Sequence, residues 1–263
     1  MTVVRARPLA ERLEAVTASC ADVDALARAI FDAVAEYVPF AFACLATTDP
    51  ASELITRAIK SHPLEIGDDE FAAAEYGAPD INQFAELARR PVPVGVLSVD
   101  TDGHPDSCRR FRDYMAPVFG FTDELRLACR ARNTTWGAFA IYRGPGEPAF
   151  TERDGELLGS VHELMALRLQ RALFAPNTGA QGEAGAAVLI VDADNRVTDM
   201  TAAVEAQIDE LGGWDNGSLP ANLVTVTAAA RASRQPARTR VLGRTGRWLA
   251  VQAMPLDGAD GRR

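Results

Sequence analysis

The chain has 263 residues and a mass of 28.2 kDa, with 48% hydrophobic and 24% charged residues, which allows a sizeable core in one large or two ordinary domains. That balance excludes a disordered chain, a collagen-like fibre and a coiled coil. No window approaches the run of about 18 uninterrupted apolar residues that a membrane span needs. Arg5, Arg7, Glu11, Arg12 and Glu14 fill the stretch where a secretory signal would be apolar, so a cytoplasmic protein with no membrane partner is expected.

The formal net charge of −9 is unevenly shared: residues 1–175 hold 18 basic and 26 acidic side chains, and residues 176–263 hold 9 and 10. An acidic chain is a poor general nucleic-acid binder. The stretch between Asp215 and Asp257 carries no acid, yet holds Arg231, Arg234, Arg238, Arg240, Arg244 and Arg247. Three readings apply to it: a solvated face, a docking surface for the acidic first domain, or an auxiliary contact with phosphates. Cys20, Cys44, Cys108 and Cys129 show no CxxC or other metal-ligand spacing. They read as reduced, structural thiols. No metal and no cofactor are expected.

Along the chain, two amphipathic helices come first, the second marked by Val23, Leu26, Ile30, Phe31 and Val34 at helical spacing. Strand-like runs follow at 40–47 and 53–60, then short helices over 67–90, a brief strand at 94–99 and a helix near 106–116. In DELRLACRAR, Leu125, Leu127, Cys129 and Ala131 alternate with Arg126, Arg130 and Arg132. In TTWGAFAIYR, Trp136, Ala138, Ala140 and Tyr142 share one face, with Phe139 and Ile141 on the other. A tight antiparallel turn is expected at Asn133-Thr134. A long helix over 152–174 is expected after the cap Thr151, with Asp154 three residues on. PNTGAQGEAGA at 176–186 reads as a linker. Strands at 187–192 and 196–201, helices near 202–211 and 219–233, and a final strand pair around Arg244-Thr245-Gly246 complete a second unit over 187–263.

Motifs that would carry chemistry are weak. Gly144-Pro145-Gly146-Glu147-Pro148-Ala149 fits G-x-G-x-x-A, but its prolines remove two of the N–H groups a pyrophosphate would need. VLIVDADN imitates the first strand of a receiver domain, yet no lysine follows Lys60. His104 and Cys108 stand four apart, and two ligands do not make a metal site. No nucleophile elbow or P-loop is present, and His162 reads as a helix-surface residue. The chain is not expected to be an enzyme.

Ser107, Arg109, Pro117, Gly120, the run Asp123-Glu124-Leu125-Arg126, Trp136-Gly137, Arg143 and Phe150-Thr151 leading into a Leu-rich helix form a distinctive series. It resembles the GAF-like sensor region of actinobacterial LuxR-type helix-turn-helix transcriptional regulators. Residues 186–256 resemble the PAS-like segment that follows in such proteins. The resemblance implies an α+β fold: a GAF-like antiparallel sheet flanked by helices over 1–175, then a smaller PAS-like α+β unit over 187–263. It implies a sensory module that binds a small molecule or partner and relays this to a helix-turn-helix domain outside the chain, through which alone DNA would be met. It does not extend to the GAF motif for cyclic nucleotides, which needs an Asn-Lys pair, nor to a bilin-tethering Cys-His pair, since Arg109 follows Cys108.

On this reading, a ligand pocket is expected on one face of the first sheet, with Phe42, Cys44, Leu127, Cys129, Phe139 and Ile141 as its wall and Tyr114 as a polar handle. A homodimer is expected through the helix 152–174, with Leu157, Leu164 and Leu167 toward the partner and Leu158, Val161, Met165 and Leu169 toward the sheet. The alternative is a dimerisation scaffold with filled cores and no ligand.

Overall fold

The computed structural model describes residues 3–64, 69–174, 187–215 and 217–256. The expected linker, 176–186, lies outside them. Packing divides the chain into two units, Met1–Pro63 with Pro79–Ala175 and Leu64–Ala78 with Pro176–Arg263. The segment 64–78, expected in the first domain, therefore packs with the second.

In the first unit, α1 (Val3–Thr17) and α2 (Val23–Ala35) precede β1 (Phe42–Thr48) and β2 (Ile55–Lys60). Asp22 caps α2 by accepting the Ala25 N–H at 2.7 Å, and Val23, Leu26, Ile30 and Phe31 are buried as their spacing predicts. The next helix, α3 (Asp69–Tyr76), belongs to the second unit. The first unit resumes with α4 (Phe84–Leu87), β3 (Val94–Val96) and α5 (Leu97–Asp100). The strand expected over 94–99 thus stops early. Asp123 takes the backbone N–H and hydroxyl of Ser98 at 3.0 and 2.8 Å, while Asp100 takes the N–H of Val96 at 3.0 Å, and these bonds curl the chain into a helical turn.

The helix expected near 106–116 is a 3₁₀ turn at Pro105–Ser107 and a π-helical turn at Phe111–Met115, which runs into α6 (Ala116–Phe119). Gly120 ends it in the left-handed region, φ 70°. Next come β4 (Asp123–Ala131) and β5 (Thr134–Arg143). Their turn is Arg132-Asn133, with φ of 49° and 62°, two left-handed residues that match the twist of a tight hairpin. This is one residue earlier than expected, because Thr134 already pairs with Ala131.

The helix expected to run unbroken over 152–174 is two helices, α7 (Glu152–Gly159) and α8 (His162–Leu173). Thr151 and Asp154 form the expected reciprocal cap. The break falls where Ser160 Oγ donates to the Leu157 carbonyl at 2.6 Å and Val161 leaves helical geometry.

The five strands form one antiparallel sheet in the order β2-β1-β5-β4-β3. The α+β class with an antiparallel sheet flanked by helices is therefore the one found. One sheet face carries Leu45, Leu125, Leu127, Phe139 and Ile141, all fully buried, and Phe31 of α2 stacks on Phe139 at 6.2 Å between ring centroids. Gly137 lets α8 close on this face: a Cβ there would lie 2.5 Å from Leu169 and 2.4 Å from the Ala46 carbonyl oxygen. Among the described residues, no helix is long and apolar enough to cross a membrane.

In the second unit, β6 (Leu189–Val191) pairs with β7 (Val197–Met200), and α9 (Val204–Glu210) and α10 (Ala221–Ser233) follow. The chain then forms β8 (Ala237–Leu242) and β9 (Trp248–Ala253), paired antiparallel. The order of elements matches the expectation, although the described strands form two separate hairpins rather than one sheet. A small core of Ala72 from α3 with Leu219 and Val224 holds the unit together, with Tyr76 packed against it. That core is why 64–78 departs from the expected domain boundary. Arg238 and Arg240 project together from the exposed side of β8, while Thr239 and Val241 are buried. The turn after β8 rests on Glu210, whose carboxylate accepts the N–H and hydroxyl of Thr245 at 2.8 and 2.6 Å.

Candidate functional site

The other face of the first unit's sheet is built of two kinds of residue. Register places Phe42, Cys44 and Ala46 of β1 opposite Tyr142, Ala140 and Ala138 of β5, and these opposite Glu124, Arg126 and Ala128 of β4. On the outer side, Cys44 and Ala46 pair with Lys60 and Ala58 of β2. The middle of this face is thus a floor of small side chains, and Cys44, Ala58 and Lys60 are only half-buried.

Beside the floor lies a cluster of charges with no solvent exposure. Arg110 donates two parallel hydrogen bonds to Glu124, Nη1 to Oε1 at 2.7 Å and Nη2 to Oε2 at 2.6 Å. Arg126 Nε lies 3.6 Å from the same carboxylate, and its Nη1 donates to the Asn82 carbonyl at 2.6 Å. The Arg126 guanidinium also stacks 3.7 Å above the Phe84 ring. Burial alone would raise the Glu124 carboxyl, but Arg110 and Arg126 outweigh it and hold the group below its usual range, ionised. The Tyr142 hydroxyl, bonded to Glu124, is pushed well above its ordinary value by burial and by that negative charge. It stays a neutral donor.

The segment over this face is tied down by Asp80. Its carboxylate accepts the N–H groups of Ile81, Arg109 and Arg110 at 2.9, 3.1 and 2.8 Å and the Cys108 thiol at 3.4 Å. Burial works against the Asp80 anion, yet those backbone bonds hold its carboxyl below the usual range. Asn82, left-handed at φ 58°, lays its amide over β3, where only glycine fits beneath it: a Cβ on Gly95 would lie 2.5 Å from that amide. At one end of the face the rings of Phe42, Phe121 and Tyr142 pack together, with centroids 4.6–5.7 Å apart, and Phe119 joins Tyr114 to them.

The expected pocket residues are divided by the pleat. Phe42 and Cys44 belong to this face, and Tyr114 reaches its aromatic end. Leu127, Cys129, Phe139 and Ile141 stand on the opposite face and are fully buried. A single wall made of all six is therefore corrected: successive residues of a strand point to opposite sides, and Cys44 pairs with Ala140, not Phe139. Arg110, Glu124, Arg126 and Tyr142 were not among the expected residues. Their signal was present in the alternation of Glu124, Arg126 and Ala128 against Leu125, Leu127 and Cys129. A solvated strand would not carry Ala138, Ala140 and Tyr142 next to it.

Two buried thiols, one on each side of the sheet, are held protonated. Burial pushes the Cys108 thiol up to about 11, against the opposing charge of Arg110, and burial also raises Cys129. His162 Nδ1 lies 2.8 Å from the Arg130 carbonyl, which ties the start of α8 to β4. Gly144 donates its N–H to the Glu147 carboxylate at 2.7 Å, so the G-x-G-x-x-A segment closes on itself. Among the described residues, no group of three or more His, Cys, Asp or Glu could hold a metal ion. On α7, α8 and the break between them, Leu158, Val161, Met165 and Leu169 are buried, Leu157 and Leu164 are half-buried, and Leu167 is 42% exposed.

No family model and no curated protein matches the chain. Among solved structures it is similar to the GAF domain of an Acinetobacter phosphoenolpyruvate-protein phosphotransferase, at 10% identity over 64% of this chain and 94% of that one, TM-score 0.42. It is also similar to the free methionine-R-sulfoxide reductase of Neisseria meningitidis, solved in complex with its substrate, at 18% identity over 64% and 89%, TM-score 0.41. A third is the cyanobacteriochrome TePixJ GAF domain, at 12% identity over 60% and 95%, TM-score 0.40.

Proposed function

We propose that this chain is the sensory and regulatory part of a cytoplasmic transcriptional regulator of the LuxR type. Its GAF-like first unit binds a small molecule or partner on the β1–β5 face, and a PAS-like second unit follows. The observation that carries the reading is the half-covered floor of small side chains around Cys44, bordered by aromatic rings and by the Arg110–Glu124–Arg126 cluster. Pockets that bind small molecules combine this kind of apolar lining with a few placed polar groups.

The relay follows from how the covering segment is held. Arg110 sits one residue before the π-helical turn at Phe111–Met115 and clasps Glu124 on the sheet. A ligand with unequal affinity for two arrangements of residues 105–121 shifts their populations. That shift passes to the helix-turn-helix domain outside this chain, and so to DNA. A homodimer through Leu157, Leu164 and Leu167 suits paired half-sites. The role is binding rather than catalysis, which the protonated Cys108 and Cys129 thiols support.

The second reading, a dimerisation scaffold without ligand, is favoured by the same ion cluster, because it fills part of the face. Native mass spectrometry of the purified chain separates the two. A sensor retains a small-molecule mass, or gains one from an extract, and filling the floor with Ala140→Leu abolishes it. A chain that never carries added mass, and whose Cys44 alkylates equally with and without extract, is the scaffold.

A further inference from the structure

The second unit contains a half-open cleft of about 560 Å³, between the β6–β7 turn, Trp214, residues 217–219 and the start of α3. That volume is in the range of small-molecule sites, roughly 300–1,000 Å³.

One wall is polar. The Asp192 carboxylate accepts the N–H groups of Asp194 and Arg196, both at 2.9 Å, and so fixes the order in which Asp194, Asn195 and Arg196 are presented. Arg231 of α10 donates to the Asn195 side-chain oxygen at 2.7 Å, and the Asn195 amide donates to Asp69 of α3. The wall is therefore pinned from two helices. Trp214, Leu219 and Val197 also line the cleft. The Trp214 indole N–H donates to Glu205 at 3.1 Å, which fixes the ring.

The cleft is lined by the carboxylates of Asp69 and Asp194, the guanidinium of Arg196 and the side chains of Trp214, Val197 and Leu219. A lone cation would meet Arg196, and a lone anion would meet Asp69 and Asp194. A molecule with both charges satisfies both. Arg196 and Asp194 at present pair with each other at 2.6 Å while 74% and 69% exposed, and an ion pair so open to water contributes little. A ligand carboxylate can replace Asp194 on Arg196 in bidentate fashion, and a ligand ammonium can take the released Asp194, with Asp69 beside it and the Trp214 ring nearby.

We propose that this cleft is a binding site for a small zwitterion of the amino-acid class with an apolar side chain. Its carboxylate sits on Arg196, its ammonium on Asp194 and Asp69, and its side chain on Trp214, Val197 and Leu219. The site lies in the second unit and is independent of the ligand face of the first.

The test is a titration of the isotope-labelled full chain, followed by the indole N–H signals of its three tryptophans, with Trp214 assigned through Trp214→Phe. The probes are L-phenylalanine and L-leucine at millimolar concentration, with phenethylamine and 3-phenylpropanoate as the single-charge counterparts. L-Phenylalanine or L-leucine should move the Trp214 signal and the backbone signals of Asn195 and Arg196 saturably, and each counterpart should bind about tenfold more weakly or worse. Arg196→Gln, at an exposed position, should keep a dispersed spectrum and weaken the amino acid about tenfold. It should leave phenethylamine unweakened. The proposal is overturned if neither amino acid moves these signals, if a single-charge probe binds as well as L-phenylalanine, or if Arg196→Gln binds the amino acid as the native chain does.

Discussion

Arg110 and Glu124 meet through two parallel hydrogen bonds of 2.7 and 2.6 Å with neither side chain exposed, joining the chain before the π-helical turn to the start of β4. Removing one partner strands the other charge in a site closed to solvent. Arg110→Met or Glu124→Leu alone should each destabilise the first unit by about 3–5 kcal/mol. The double replacement should cost less than the sum of the two single ones, since both remove the same pair, but it still leaves the buried Arg126 guanidinium without its carboxylate. Urea unfolding of the three variants checks this.

The same carboxylate sets a pH response. Glu124 is held below its ordinary range in the folded chain, so the stability it contributes is complete above the unfolded value near 4.5 and is lost as the pH falls through the folded value. Asp80 has the same sign, while Asp123, raised by burial against its hydrogen bonds, has the opposite one. Acid unfolding should therefore steepen below the ordinary carboxylate range, and Glu124→Gln should flatten that limb. Melting temperatures followed from neutral pH downward give the comparison.

A methyl group at Gly137 has nowhere to go, because the Ala46 carbonyl oxygen and the Leu169 side chain lie within 2.4–2.5 Å of where it would stand. Gly137→Ala should cost about 1–3 kcal/mol or more through overpacking. Gly146→Ala meets no atom within 4 Å, but must adopt φ near 82°, so its cost should be about 1–2 kcal/mol of backbone strain alone. Thermal unfolding should rank them in that order.

Leu167, 42% exposed, and Leu169, fully buried, lie two residues apart on α8. Leu167→Asp should leave stability within about 0.5 kcal/mol and convert the proposed dimer to a monomer in sedimentation experiments. Leu169→Asp should unfold the first unit. A native chain that sediments as a monomer at micromolar concentration removes the dimer.

Alkylation of the native chain should separate the thiols. Cys108 and Cys129 are buried, with thiols raised by that burial, so iodoacetamide at neutral pH should modify Cys20 and Cys44 well before them. Mass spectrometry of digests taken over time would show the order.

Elements with a strong period were legible from the sequence. Helix α2 was found through Val23, Leu26, Ile30 and Phe31, the cap of α7 through Thr151 and Asp154, and the β4–β5 hairpin through its alternation. What failed was local chemistry settled by distant partners. Ser98 turns helical because Asp123, 25 residues on, takes its N–H and hydroxyl. Helix α3 groups with the second unit, where Ala72 packs with Leu219 and Val224. Of the proposed ligand face, Phe42 and Cys44 were legible. The charged half was legible only as the alternation of Glu124, Arg126 and Ala128 beside an apolar β5, because the residue that pairs with Glu124, Arg110, lies outside the sheet.

The strand order has a consequence for synthesis. Strand β1 lies one strand in from the β2 edge of the sheet, and its inner neighbour is the central strand β5, with Phe42 facing Tyr142 roughly a hundred residues later. As the chain leaves the ribosome, α2, β1 and β2 can form a hairpin and a helix, but one edge of β1 stays open until β5 has emerged. Closing so long a loop is slow. Nascent chains halted before residue 143 should therefore expose a sticky apolar edge and need chaperone protection, whereas each hairpin of the second unit finds its partner strand within a few residues of its own turn.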